Sequence, residues 1–340
     1  MRAFASFSFL LFFFIPFQFL FSQSLDLAVK GNGLSIGNSK KINGVRLNFR
    51  DRELVRVNGV NLTVWQPRGA LSGVINGVAL AMPLTGAEAV HGISAGIFGV
   101  GVRRELSGVS VAGVGLGAGR SVAGLAVSGI GLGAEGPVVG VAVSGIGLGS
   151  GLDLRGVMVA GLALGSGRRV YGLTLAGLGV GAGSTIEGVA LAGLAVGAGK
   201  DISGFTVAGL GVGSGRKIRG LTIAGIATGA GAQITGVQVA GVGVAAPSLT
   251  GVTVAGVAAG ASDFKGVAVA PAYFLIEDKG VFQGISISIF NRVKGEHRGL
   301  SIGILNIARD LKGLQIGVLN IATSNRAGLR VLPFFNANFR

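Results

Sequence analysis

The chain has 340 residues, of which 65 are glycine and none is cysteine; 49% are hydrophobic, 13% are charged, and the formal net charge is +15. This composition lies far from that of an average soluble domain. It excludes disulfide frameworks and thiolate metal sites, and the positive charge implies attraction to polyanions without selecting one.

At the N-terminus, Arg2 precedes an uncharged run from Ala3 to Phe21 that carries nine of the 19 phenylalanines, and Ser22-Gln23 follow. A basic start, an apolar run and a small residue at a plausible cleavage point predict a secretory signal peptide over residues 1–22. A retained membrane anchor is the alternative. Pro16 in mid-run and the absence of a following basic cluster count against it, and with no cysteine at the boundary lipoprotein processing is excluded.

Residues 23–106 read as degenerate repeats. Gly44, Gly59, Gly77 and Gly92 lead units of alternating apolar residues, and Asn43, Asn58 and Asn76 precede three of these glycines. Asn-Gly between alternating strands predicts tight turns. Arg46, Arg50 and Arg56 bring charge into the strands, so this segment is expected to be the more solvated end of the array.

Residues 107–265 repeat one sentence of 16 residues, with leading glycines at 108, 124, 140, 156, 172, 188, 204, 220 and 236. A fixed period of this kind is the signature of a repeat architecture. With the leading glycine as position 1, large apolar residues occupy positions 2, 4, 7, 9 and 15, as in Val157, Val159, Leu162, Leu164 and Val170. Two short strands with period-two alternation are predicted, with a one-residue slip at pairs such as Ala160-Gly161 and again at Gly172. Each slip reads as a corner, and all five large positions are expected to point inward.

Residues 266–340 continue with looser steps from Gly266, Gly284, Gly299, Gly313 and Gly328, and end in an aromatic stretch through Phe339 that resembles the last strand of bacterial outer-membrane barrels. Asn291, Asn306 and Asn320 each lie seven residues beyond a leading glycine or its equivalent, which predicts a side-chain ladder in parallel stacking. The units Gly299-Leu-Ser-Ile-Gly-Ile-Leu-Asn-Ile-Ala308 and Gly313-Leu-Gln-Ile-Gly-Val-Leu-Asn-Ile-Ala322 resemble those of bacterial exported "surface repeat-containing" proteins, over roughly residues 282–323. The resemblance implies the cell surface or outer membrane and carries no catalytic residue with it.

The fold class expected from these patterns is all-β, a β-solenoid of about 19 short coils built on the 16-residue period. Two alternatives remain: a transmembrane β-barrel with one strand per repeat, and an open array of hairpins. The solenoid predicts an exported, non-enzymatic structural or adhesive surface protein, and the barrel predicts an outer-membrane pore or anchor.

No catalytic, cofactor or metal site is expected. His91 and His297 lack neighbours at metal-ligand spacing and read as surface or turn residues. Asp51 with Glu53, and Glu277 with Asp278, read as solvated loop charge. Gly-x-Gly recurs in nearly every unit and is therefore architectural rather than a dinucleotide turn. In the regular units charge gathers just after Gly-x-Gly, and stacking is expected to line up Arg120, Arg155, Arg168, Arg169, Lys200, Arg216, Lys217 and Arg219 as one mostly basic edge. Such an edge either keeps an apolar body soluble or binds surface polysaccharide or another polyanion, nucleic acid being the less expected partner.

Overall fold

The computed structural model describes residues 24–339, so the expected signal peptide over 1–22 lies outside the described residues. The chain is all-β, a solenoid of about 18 coils with a spacing of about 16 residues. Its described residues fall into two compact units, divided between Gly145 and Ile146.

In the second unit one coil consists of an eight-residue strand, Asp153–Ala160, a bend at Gly161 and Leu162, a four-residue strand, Ala163–Ser166, and a bend at Gly167 and Arg168. Each strand pairs in parallel with its equivalent 16 residues on, so that Asp153 faces Arg169, Ala160 faces Ala176 and Leu164 faces Val180. The first unit follows the same rule, with Gly115 opposite Gly131 and Gly108 opposite Gly124. Parallel pairing of this kind overturns the barrel, which requires neighbouring strands to run antiparallel.

Antiparallel strands close the two chain ends instead. In the first unit β1 (Leu25–Val29) pairs antiparallel with β2 (Asn32–Ile36), and β2 pairs in parallel with β3 (Lys41–Arg50), which pairs in parallel with β4 (Arg56–Trp65). In the second unit Val331–Asn338 returns antiparallel along Gly313–Ala322. Gly328 sits in a 3-10 turn, Ala327–Leu329, and leads no coil. The aromatic C-terminal stretch is thus a capping strand that covers an otherwise open parallel edge.

The interior corrects the expected inward set. Met158, Ala160, Leu164, Ser166 and Val170 are all buried, whereas Val157 and Val159 are only half-buried and Leu162 is 45% exposed. Positions 3, 5, 9, 11 and 15 point inward, and positions 2, 4 and 7 point out. Alternation therefore keeps one parity around the whole coil and does not slip; the odd positions 1, 7 and 13 face outward because the chain turns a corner there. The reason is room. Large residues at 9 and 15 already fill a narrow coil, and the column at 5 stays alanine through Ala160, Ala176, Ala192, Ala208 and Ala224.

Two kinds of glycine make the corners. The leading glycines have positive φ, for example +118° at Gly156 and +105° at Gly172, a region that favours glycine. At position 6 the constraint is close approach: a Cβ on Gly193 would lie 1.9 Å from the Gly177 carbonyl oxygen of the coil before. In the shortened C-terminal coils the missing residue falls at this same corner, where four residues rather than five separate the inward Ser301 and Asn306 from each other.

Polar residues at the ends behave differently from expectation. Asn43, Asn58 and Asn76 form no hairpins; they stack on the outside, Asn58 Nδ2 donating to Asn43 Oδ1 and Asn76 Nδ2 to Asn58 Oδ1, each at 2.7 Å. Arg46 is fully buried rather than solvated, and its guanidinium reaches Asp51, Asn61, Asn38 and the Ser39 carbonyl. Asp51 is buried with it, accepting also from Asn48, Asn61 and Thr63. Position 3 points inward, so an arginine there must carry its counter-charge inside. Arg56 is exposed and Arg50 half-buried, and Glu277 and Asp278 are exposed as expected.

His297 is likewise buried, not a surface residue. Its Nε2 lies 2.6 Å from Ser301 Oγ and its ring 4.9 Å from that of Phe282. Burial pushes its pKa down to about 4. The expected ladder is present: Asn291 Nδ2 donates to Asn306 Oδ1 at 2.8 Å, and Asn306 Nδ2 to Asn320 Oδ1 at 2.7 Å, all three buried.

Candidate functional site

The residues expected to form one basic edge occupy several columns and both units. In the second unit, position 13 stacks Arg168, Ser184, Lys200 and Arg216 on successive coils, the N–H of Ser184, Lys200 and Arg216 each donating at 2.8 Å to the carbonyl of the residue before it in that column. Arg169 and Lys217 stand at position 14, Arg155 and Arg219 at position 16. Arg120 belongs to the first unit, where it meets Glu105 at 3.1 Å.

These columns resolve into two clusters. In the first, Arg155, Arg168 and Arg169 converge on Asp153, with Nη2 of each 2.8, 2.8 and 3.1 Å from Oδ2. Arg168 adds a second bond from Nε to Oδ1 at 2.9 Å, and Tyr171 lies under the Arg155 and Arg169 guanidiniums at 5.7 and 5.4 Å. The hydrogen bond from Arg168, then those from Arg169 and Arg155, hold Asp153 well below the usual carboxylate range although its burial opposes this. Three cations on one carboxylate leave a net charge of +2.

In the second cluster Arg216 grips Asp201 through Nε at 3.1 Å and Nη2 at 2.6 Å, which lowers the Asp201 pKa. Lys200, Lys217 and Arg219 carry no salt bridge among the described residues. Four cations against one carboxylate leave +3. The coil between the clusters carries Ser184, Thr185 and Glu187, so the edge is interrupted rather than continuous.

The other outward surface is built from columns that the apolar pattern alone places in the core. Leu162, Leu178, Leu194, Leu210, Ile226 and Val242 follow one another at position 7, exposed by 43–47%. Beside them the columns at 2 and 4 carry Leu221, Ile223, Val237, Val239, Val252 and Val254, exposed by 37–40%. Beyond position 7 the surface is nearly bare: a Cβ on Gly165, Gly181, Gly197 or Gly213 would touch nothing within 4 Å. Contiguous exposed apolar surface of this kind is the feature by which interaction faces are recognised.

A signal for this inversion was available. Positions 5 and 11 hold only alanine or serine in the units from Gly156 to Gly220, and a position that stays small while its neighbours vary is one packed from all sides. Comparisons with family models, with curated proteins and with solved structures returned no match.

Proposed function

We propose that this chain is a non-enzymatic structural or adhesive protein exported to the bacterial cell surface. One observation carries the reading: the outward apolar columns at positions 2, 4 and 7 repeat from coil to coil with the same chemistry, so contact area grows by repetition while the glycine corners hold every coil to one register. Adhesive surfaces need area and regularity, whereas an active site needs a local break in the pattern. The resemblance of residues 282–323 to exported repeat units supports the same location, including association with the outer membrane.

The partner proposed for the two basic clusters is an anionic surface polysaccharide or another polyanion. Arginine forks suit carboxylate and sulfate groups, and counterion release makes such binding weaken steeply with salt. Intact cells making the protein are to be treated with a membrane-impermeant lysine reagent. Modification of Lys200 and Lys217 before lysis is the expected result, and labelling only after lysis rejects surface exposure. Replacing Arg168, Arg169, Arg216 and Lys217 together by serine is then expected to abolish salt-sensitive retention on a sulfated polysaccharide, with the circular dichroism unchanged.

A further inference from the structure

The first unit holds a cavity of about 1460 Å³ that the regular coils lack the connections to build. Its floor is the outward column at position 4, in register from Leu47 to Leu62, Leu80, Ala95 and Val111, with Ile36 of β2 in line beyond Leu47. These six coils span about 24 Å at about 4.8 Å per step. Phe49, Val64, Met82 and Ile97, each at least 55% exposed, form a second apolar row beside the floor. Ordinary ligand pockets measure about 300–1,000 Å³; this one is larger and long.

Charge enters at one end. Arg50, Arg52 and Arg68 line the cavity where the strandless segments 51–55 and 66–73 replace the four-residue strand and flanking bends of a regular coil. The segments are tied together: Arg68 N–H donates to the Asp51 carbonyl at 2.8 Å, and Arg50 Nε to the Gln66 carbonyl at 3.1 Å. Arg52 N–H is held by Asn38 Oδ1 at 3.1 Å, the same oxygen that accepts from Arg46. The buried Arg46–Asp51 pair thereby has a consequence at the surface. With Asp51 drawn inside, its neighbours Arg50 and Arg52 are left at the rim.

Both nearby carboxylates are already engaged. Asp51 is paired with Arg46 inside, and Glu53, which also feels the charge of Arg52, is paired with Lys40 at 2.8 Å. Among the described residues Arg50, Arg52 and Arg68 have no salt bridge, so three cations sit at the end of an apolar trough. Arginine there suits a planar carboxylate, and an apolar floor about 24 Å long suits the length of an extended long alkyl chain.

We propose that this trough binds a single long-chain fatty acid, its alkyl chain lying along the Leu47–Val111 floor and its carboxylate at Arg50, Arg52 and Arg68. The site is independent of the basic clusters in the second unit and of where the protein resides. Calorimetric titration of the full chain with hexadecanoate, below its micellar concentration, tests it. One saturable site per chain is expected, with hexadecanol and octanoate each binding at least tenfold more weakly. The triple variant Arg50→Gln, Arg52→Gln, Arg68→Gln is expected to bind the acid no better than the alcohol, and Leu80→Glu to lose both. Absence of saturable binding, equal affinity of the parent for acid and alcohol, or binding confined to anionic vesicles overturns the proposal. The acid and alcohol comparison uses the parent protein, so misfolding of a variant does not blunt it.

Discussion

The regular coils and the C-terminal coils of the second unit share the same inward columns and fill them with different chemistry. At position 9 the column runs through Leu164, Val180, Val196 and Val212, and the same register continues through Thr228, Val244, Ala259 and Phe274 to Asn291, Asn306 and Asn320. At position 15 it runs from Val170 and Ile186 through Phe264 and Phe282 to His297. An aliphatic column gains from burial alone and accepts any neighbour of suitable volume. An amide column is selective, since each buried donor needs an acceptor directly above or below it. Register in the regular coils is therefore held by backbone, through glycines whose Cβ space is taken by the preceding carbonyl; in the C-terminal coils side chains hold it as well.

The largest expected effect breaks the polar interior at the other chain end. Arg46→Met leaves Asp51 buried without a counter-charge and is predicted to cost about 3–5 kcal/mol, read from urea denaturation. Adding Asp51→Leu should restore much of that loss; a double variant as unstable as the single one would show that the pair is not the cause. Next comes the backbone device of the regular coils. Gly193→Val places a side chain where the Gly177 carbonyl already lies, and a loss above about 3 kcal/mol is predicted. A melting curve like the parent's would remove the close-approach argument.

The comparison sharpens with pH. Burial holds His297 at a folded pKa of about 4 against the ordinary imidazole value of 6.5, so the unfolded chain takes up a proton that the folded chain refuses. Its contribution is fully present above about pH 6.5, is lost as pH falls toward 4, and amounts to about 3 kcal/mol over that window. His297→Phe, which continues the column of Phe264 and Phe282, should flatten the stability profile there. An unchanged profile would assign the pH dependence elsewhere.

Asn306→Leu is predicted to cost about 2 kcal/mol, because Asn291 loses an acceptor and Asn320 a donor in the interior. Thermal melting that shows no loss would mean the ladder adds nothing to packing. The smallest effect is Gly197→Ala, within about 0.5 kcal/mol, since nothing lies within 4 Å of the added methyl. It is the control for Gly193→Val at a glycine only four residues away.

The period, the stacking of like on like, the corner at Ala160-Gly161 and the Asn291–Asn306–Asn320 ladder were legible in the chain before any fold was known. These follow from repetition: residues at equal phase must meet when units stack, whatever direction they face. Facing was decided only by the tertiary structure. Alternation identifies two sets of positions without saying which lies inside, and a preference for burying large residues selected 2, 4 and 7, which the narrow coil cannot accommodate beside 9 and 15. Residues that occur once were hidden for a related reason. Arg46, Asp51 and His297 take their partners across a corner of the chain or from a neighbouring coil, and no spacing in the chain announces which carboxylate, hydroxyl or ring will be waiting there. The basic edge lies between these cases: its column at position 13 follows from the period, while the carboxylates Asp153 and Asp201, which gather its cations into two clusters, act through side-chain reach from coil to coil.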